Sequence, residues 1–205
     1  MPVFSYLALK GRCKNCGAKI PKSSLWVEIT GAVCGLLFAL RFQNNLFALS
    51  LCHTALLFLT VSTVTDIKSG YIYDNWAFAG CFTPLLLRLA FGGVKPLLDG
   101  VLAAGFGFTL MFIIYICSRK KGMGLGDAYL MLSVGALLGV KLTILALYAA
   151  FIIGGLYAAA MLLLKKATRK TALPLAPFIA FGTIFSLLCY TYIFNLLQLI
   201  ADEPF

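Results

Sequence analysis

The chain has 205 residues, of which 61% are hydrophobic and 12% charged, with 17 Lys and Arg against 7 Asp and Glu. A soluble domain carries roughly 25% charge and could not cover this much apolar surface, so a water-soluble globule is excluded. The basic residues fall in short segments between long apolar runs, which speaks against a nucleic-acid surface and for membrane topology signals.

Residues 1–23 form a short basic segment carrying Lys10, Arg12, Lys14, Lys19 and Lys22 and a Cys-x-x-Cys pair, Cys13 and Cys16. Its opening lacks the apolar centre of a cleavable signal peptide, so the first spanning helix is expected to double as the insertion signal. Residues 24–205 read as one membrane domain. Apolar runs follow at Leu25–Phe42, Leu46–Thr65, Trp76–Gly92, Leu97–Cys117, Ala128–Val140, Leu142–Leu164 and Pro177–Leu199. About 20 apolar residues cross the hydrocarbon core as a helix. The predicted fold is therefore an all-α polytopic membrane bundle of about seven transmembrane helices, with the fifth span short. Cys34, Cys52, Cys81, Cys117 and Cys189 lie inside these runs, where a thiol behaves as a small buried hydrophobe rather than half of a disulfide.

Basic loops stay cytoplasmic, which orients the bundle. With the N-terminus inside, the inner connections collect Lys68, then Arg119, Lys120 and Lys121, then Lys165, Lys166, Arg169 and Lys170. The outer side holds only Arg41, Arg88, Lys95 and Lys141. The expected setting is a multi-pass protein of the plasma membrane, in contact with the lipid bilayer and no nucleic acid, its N-terminus and active site cytoplasmic.

Carboxylates are scarce enough to take singly. Asp66 closes the second span in Thr-Val-Thr-Asp-Ile-Lys, and Asp127 opens the fifth in Gly-Met-Gly-Leu-Gly-Asp-Ala, both at inner helix ends. Ionisable groups at membrane depth are costly and usually line a functional path. Two carboxyl groups held together cannot both ionise easily, so one keeps a proton while the other is a base, which is the arrangement that activates water against a peptide carbonyl. Gly122, Gly124 and Gly126 before Asp127 are expected to adopt backbone conformations closed to other residues and to let an extended substrate approach. The plainer reading of Asp127 is a carboxylate at the positive end of a helix. Asp74 either binds a basic substrate segment or caps the helix before Trp76. Glu28 is expected to hydrogen-bond near the interface, His53 to be a satisfied buried polar residue, and Asp99 to favour the dipole of its own helix.

The stretches Gly-Arg-Cys-Lys-Asn-Cys-Gly-Ala-Lys-Ile, Val-Glu-Ile, Asp66 with Asp74, Gly-Met-Gly-Leu-Gly-Asp and Leu-Pro-Leu-Ala-Pro-Phe-Ile-Ala-Phe-Gly occur in the order found in the type IV prepilin leader peptidases, membrane aspartic peptidases of the GxGD class. The chain resembles that family from Gly11 to Gly182. The resemblance implies Asp66 and Asp127 as the catalytic pair, with Asp74, Gly124 and Gly126 supporting them. It also implies prepilin or pilin-like precursors as substrates, cut behind a short basic leader. Bacterial members carry two Cys-x-x-Cys pairs and an earlier span; Cys13 and Cys16 supply at most half of a four-ligand zinc site. The peptidase chemistry needs no cofactor, and the short beginning leads us to expect cleavage without S-adenosylmethionine-dependent methylation. Tyr73 stands where the family often has proline and Tyr129 where it often has lysine. An ion- or proton-coupled transporter is the alternative from another class, although Asp66 and Asp127 sit at one face rather than at the midplane between repeats.

Overall fold

The computed structural model describes residues 6, 8–12, 14, 16–19, 22–118, 123–166 and 174–201, the side chains of 22–24 and 190–201 excepted. Cys13, Arg119, Lys120, Lys121, Gly122, Arg169, Lys170, Asp202 and Glu203 lie outside the described residues. From residue 22 onward the described chain is helical: α1 Lys22–Arg41, α2 Leu46–Ser69, α3 Asp74–Leu87, α4 Val94–Cys117, α5 Leu125–Leu138, α6 Val140–Leu163 and α7 Ala176–Ala201. A π-helical turn, Arg88–Gly92, extends α3 toward α4. These helices coincide with the seven apolar runs. Three of them, α2, α4 and α6, are long and apolar enough to cross a membrane by length and composition.

The short fifth span is the centre of the bundle. Its 14 residues reach only about 21 Å, well short of a hydrocarbon core about 30 Å thick, and ten of them, from Asp127 to Leu138, are buried. A helix apolar on every side belongs inside a bundle, and here α4 and α3 pack most closely on it, with α2, α6 and α7 around the rest. Small residues permit the close approach to α4. A Cβ on Gly135 would strike the Ala103 carbonyl, and one on Gly107 would lie 2.9 Å from the Met131 oxygen. The Ser133 hydroxyl ties α5 to α3 by donating to the Ala77 carbonyl at 2.6 Å.

Because α5 stops short, its last carbonyls end where no water can reach them. Arg88, 6% exposed, supplies the donors. Its Nε bonds Ala136 O at 2.8 Å, Nη2 bonds Leu137 O at 2.9 Å and Nη1 bonds Pro96 O at 3.0 Å. Asp99 lies 3.7 Å from the same guanidinium and accepts from Val140 N, the first residue of α6, at 3.2 Å. Arg88 is thus a buried helix cap. One sequence expectation is corrected here: Asp99 serves the start of α6 rather than its own helix. Between α5 and α6 stands the single residue Gly139, at φ +78°, a left-handed conformation that favours glycine.

The thiols divide. Cys34, Cys52 and Cys81 are buried as expected, Cys189 is half-buried, and Cys117 is exposed. His53 faces outward on α2 rather than inward, with Nδ1 against the Leu49 carbonyl at 2.9 Å, so it is satisfied but not buried.

Candidate active site

Asp66 occupies the last turn of α2. That helix ends at Gly70, whose φ of +63° gives the left-handed cap and whose N–H bonds the Asp66 carbonyl at 2.8 Å. Asp66 is 8% exposed, and its Oδ2 accepts from the backbone N–H of Ala176 at 3.1 Å. Ala176 is the first residue of α7, in the stretch Pro174-Leu175-Ala176-Pro177. Proline costs nothing at a helix start, where its missing N–H would have had no intrahelical partner. The carboxylate of one helix thus satisfies an open donor at the start of another.

Asp127 sits in the first turn of α5, 9% exposed, and its Oδ2 accepts from the Gly124 N–H at 3.3 Å. The plain reading of a carboxylate at a helix start is therefore met, and it is compatible with chemistry, since the second oxygen and the open side of the group remain available. Both aspartates line one cavity of about 840 Å³ and stand close enough for the charge of one to act on the other.

The cavity draws on several of the helices and the turns between them. Ile67, Gly70, Tyr71 and Ile72 come from the end of α2 and the turn after it, and Asp74 from the start of α3. Ile114 comes from α4, Phe151 from α6, Met123 to Gly126 from the approach to α5, and Pro174 and Leu175 from the approach to α7. Of the expected supporting residues, Asp74, Gly124 and Gly126 all line it. Asp74 is exposed in the first turn of α3, whose N-cap is Tyr73, and it lines the cavity.

The glycine expectation needs correction. Gly124 is extended, at φ −79° and ψ 149°, and Gly126 is helical, so neither occupies a conformation reserved for glycine. What Gly126 provides is contact: a Cβ there would stand 3.1 Å from Cβ of Ile72. The missing side chain lets the start of α5 seat against the turn after α2, and this draws the two aspartates into one cavity. Glu28 is also not as expected, for its Oε2 is buried and has no hydrogen-bond partner among the described residues. Sequence reasoning missed Ile72, Ile114, Phe151 and the Ala176 N–H; only the Leu-Pro-Leu-Ala-Pro-Phe stretch pointed toward the last of these.

Among the described residues no group of three His, Cys, Asp or Glu side chains could hold a metal ion. Cys16 is exposed and free, and its partner in the Cys-x-x-Cys pair lies outside the described residues. The described residues therefore do not make up a zinc site.

Residues 53–159, which include both aspartates and most of the cavity wall, match the model of the type IV leader peptidase family. The chain belongs to that family. Residues 1–42 match the bacterial N-terminal domain that accompanies the peptidase. Among curated relatives, a "Prepilin leader peptidase/N-methyltransferase" of Pseudomonas putida is 30% identical over 88% of this chain and 63% of its own length. A protein of the same name from Bacillus subtilis (strain 168) is 32% identical over 94% of this chain and 75% of its own length. A "Type 4 prepilin-like proteins leader peptide-processing enzyme" of Escherichia coli O78:H11 is 31% identical over 90% of this chain and 68% of its own. The chain spans a little under two thirds of the Pseudomonas and Aeromonas relatives it matches. No solved structure matches it. As a member of this leader peptidase family, with both aspartates on one cavity, it lends no support to the transporter alternative.

Proposed function

We propose that this protein is a membrane aspartic endopeptidase that removes the leader of type IV pilin-like precursors at the cytoplasmic face, with Asp66 and Asp127 as the catalytic pair. The observation that carries the reading is the meeting of these two carboxyl groups, from the end of α2 and the start of α5, on one cavity. A single proton shared between them gives one ionised and one protonated member. The ionised carboxylate takes a proton from a water molecule as its oxygen attacks the scissile carbonyl, and the protonated member donates to the carbonyl oxygen. Collapse of the tetrahedral adduct then breaks the C–N bond: one hydroxyl of the adduct gives its proton to the ionised carboxylate as C=O re-forms, and the departing amine takes a proton from the protonated member, so the pair again holds one shared proton. Neither a metal nor a covalent intermediate is needed for these steps.

Residues 1–23 are the cytoplasmic segment in this reading and 24–205 the peptidase domain in the plasma membrane, with the basic connections on the inner side. Asp74, exposed on the cavity, faces the basic leader of the precursor, while the apolar stretch that follows the leader stays in the bilayer. Methyl transfer, the second activity in the names of two of these relatives, requires a pocket for S-adenosylmethionine apart from the aspartate pair. One mass spectrum reads both reactions. Incubating the purified protein with a pilin-like precursor should yield the shortened product, and a gain of one methyl group on that product would report the second activity. An intact precursor after prolonged incubation would overturn the peptidase reading.

A further inference from the structure

Two buried polar atoms have no hydrogen-bond partner among the described residues: Oε2 of Glu28 on α1 and Oγ1 of Thr63 on α2. The two helices run antiparallel through the short 42–45 connection and pack together. Their register is marked by Gly35, where a Cβ would stand 3.9 Å from Cδ1 of Leu56. Seven residues make about two helical turns. Stepping seven residues back along α1 and seven forward along α2 therefore preserves the facing sides and brings Glu28 opposite Thr63.

Thr63 also departs from the other threonines of its helix. The hydroxyl of Thr54 donates to Ser50 O at 2.8 Å, that of Thr60 to Leu56 O at 2.6 Å and that of Thr65 to Ser62 O at 3.0 Å. Thr63 makes no such bond back to its own helix, so its hydroxyl is left without a partner there. Buried polar atoms in native proteins are paired with protein or with ordered water. One water molecule satisfies both groups, donating to the carboxyl oxygen and bonding the hydroxyl.

We propose that Glu28 and Thr63 hold a water molecule between α1 and α2 and through it position Asp66. Thr63 precedes Asp66 by three residues, a spacing that makes them neighbours on one helix face, with Cβ atoms about 5–6 Å apart. Neither Glu28 nor Thr63 lines the cavity, so this water approaches Asp66 from within the bundle, behind the face that meets substrate. A bound precursor does not displace it. The water keeps the end of α2 in the orientation that joins Asp66 Oδ2 to the Ala176 N–H while the cavity fills. Glu28 and Thr63 are positioning residues, and this role rests on the peptidase reading.

The test is the rate of cleavage of a pilin-like precursor by the purified full chain, separated into kcat and KM, for Thr63→Val, Thr63→Ser, Glu28→Leu, Glu28→Gln and the Val/Leu double variant. Thr63→Val and Glu28→Leu should lower kcat roughly five-fold, the rate equivalent of one neutral hydrogen bond, with KM unchanged. Ser and Gln retain the bonding groups and should retain the rate. The double variant should be no slower than the slower single, because both lose the same water. Wild-type kcat in Thr63→Val, or losses that multiply in the double variant, would overturn the proposal. If Glu28→Leu does not fold, the comparison of Thr63→Val with Thr63→Ser decides. A wild-type protein that cleaves nothing would instead strike the peptidase reading. The water site would then be judged from an experimental density map, where density between the two side chains supports it and direct contact between them overturns it.

Discussion

Oδ2 of Asp66 and the backbone N–H of Ala176 meet at 3.1 Å, across 110 positions of chain. The bond joins the last turn of α2 to the beginning of α7 and sets a carboxylate where a helix start offers an open donor. It fixes which oxygen of Asp66 is engaged and turns the rest of the group toward the cavity that Asp127 shares. The placement of Asp66 on the cavity and the packing of α2 on α7 are thus carried by the same atoms, and the consequences can be measured.

Asp66→Asn and Asp127→Asn should each lower cleavage by roughly 10²- to 10⁴-fold, the usual share of a positioned acid or base, while the protein stays folded. Asn keeps the shape of the carboxylate but cannot exchange the proton. Asp74→Asn should keep kcat and raise KM by roughly two- to five-fold for a precursor with a basic leader, as the loss of one exposed ion pair would. Near-normal turnover in either of the first two variants would remove the assignment of the pair.

Substitution at the two described glycines before Asp127 should separate contact from conformation. Gly126→Ala sets a Cβ 3.1 Å from Cβ of Ile72 and shifts the neighbouring carboxylate by a few tenths of an ångström, with an expected loss of roughly ten-fold in kcat, since about 1 Å of misplacement can cost 10²-fold. Gly126→Val should lose more. Gly124→Ala, in extended backbone with the nearest atom at 3.6 Å from the new Cβ, should remain near wild type. Equal losses at the two positions would contradict this geometry.

Arg88→Met should destabilise the bundle by about 3 kcal/mol or more, because it leaves the carbonyls of Ala136 and Leu137 buried and unbonded. Chemical denaturation in detergent measures this, and KM of the surviving folded protein should be unchanged, since none of these groups lines the cavity that holds Asp66 and Asp127. Unaltered stability would show that the outer end of α5 does not depend on the guanidinium.

Cysteines introduced at Ser69 and Ser118, in a background lacking native thiols, should react with an impermeant reagent only from the cytoplasmic side. Ser69 ends α2 and Ser118 follows α4, two helices whose C-terminal ends border the cavity. Labelling from the outside would reverse the orientation read from the basic connections.

Much of this architecture was legible in the order of residues. Burial in lipid demands a continuous apolar helix for each crossing, so the seven runs from Leu25 to Leu199 marked the seven helices closely, and the scarcity of carboxylates singled out Asp66 and Asp127 against an apolar background. The tertiary structure alone decided that the short span of α5 is the centre of the bundle, that Arg88 and Asp99 close helices to which they do not belong, that Gly126 matters through its contact with Ile72, and that Ala176 completes the surroundings of Asp66. These are relations between residues 41 to 110 positions apart, set by which helices touch and at what height. Hydrophobic runs specify that a segment crosses the bilayer; they do not encode which neighbour it meets there, because lipid and a helix partner are equally apolar and only shape and a few hydrogen bonds choose between them.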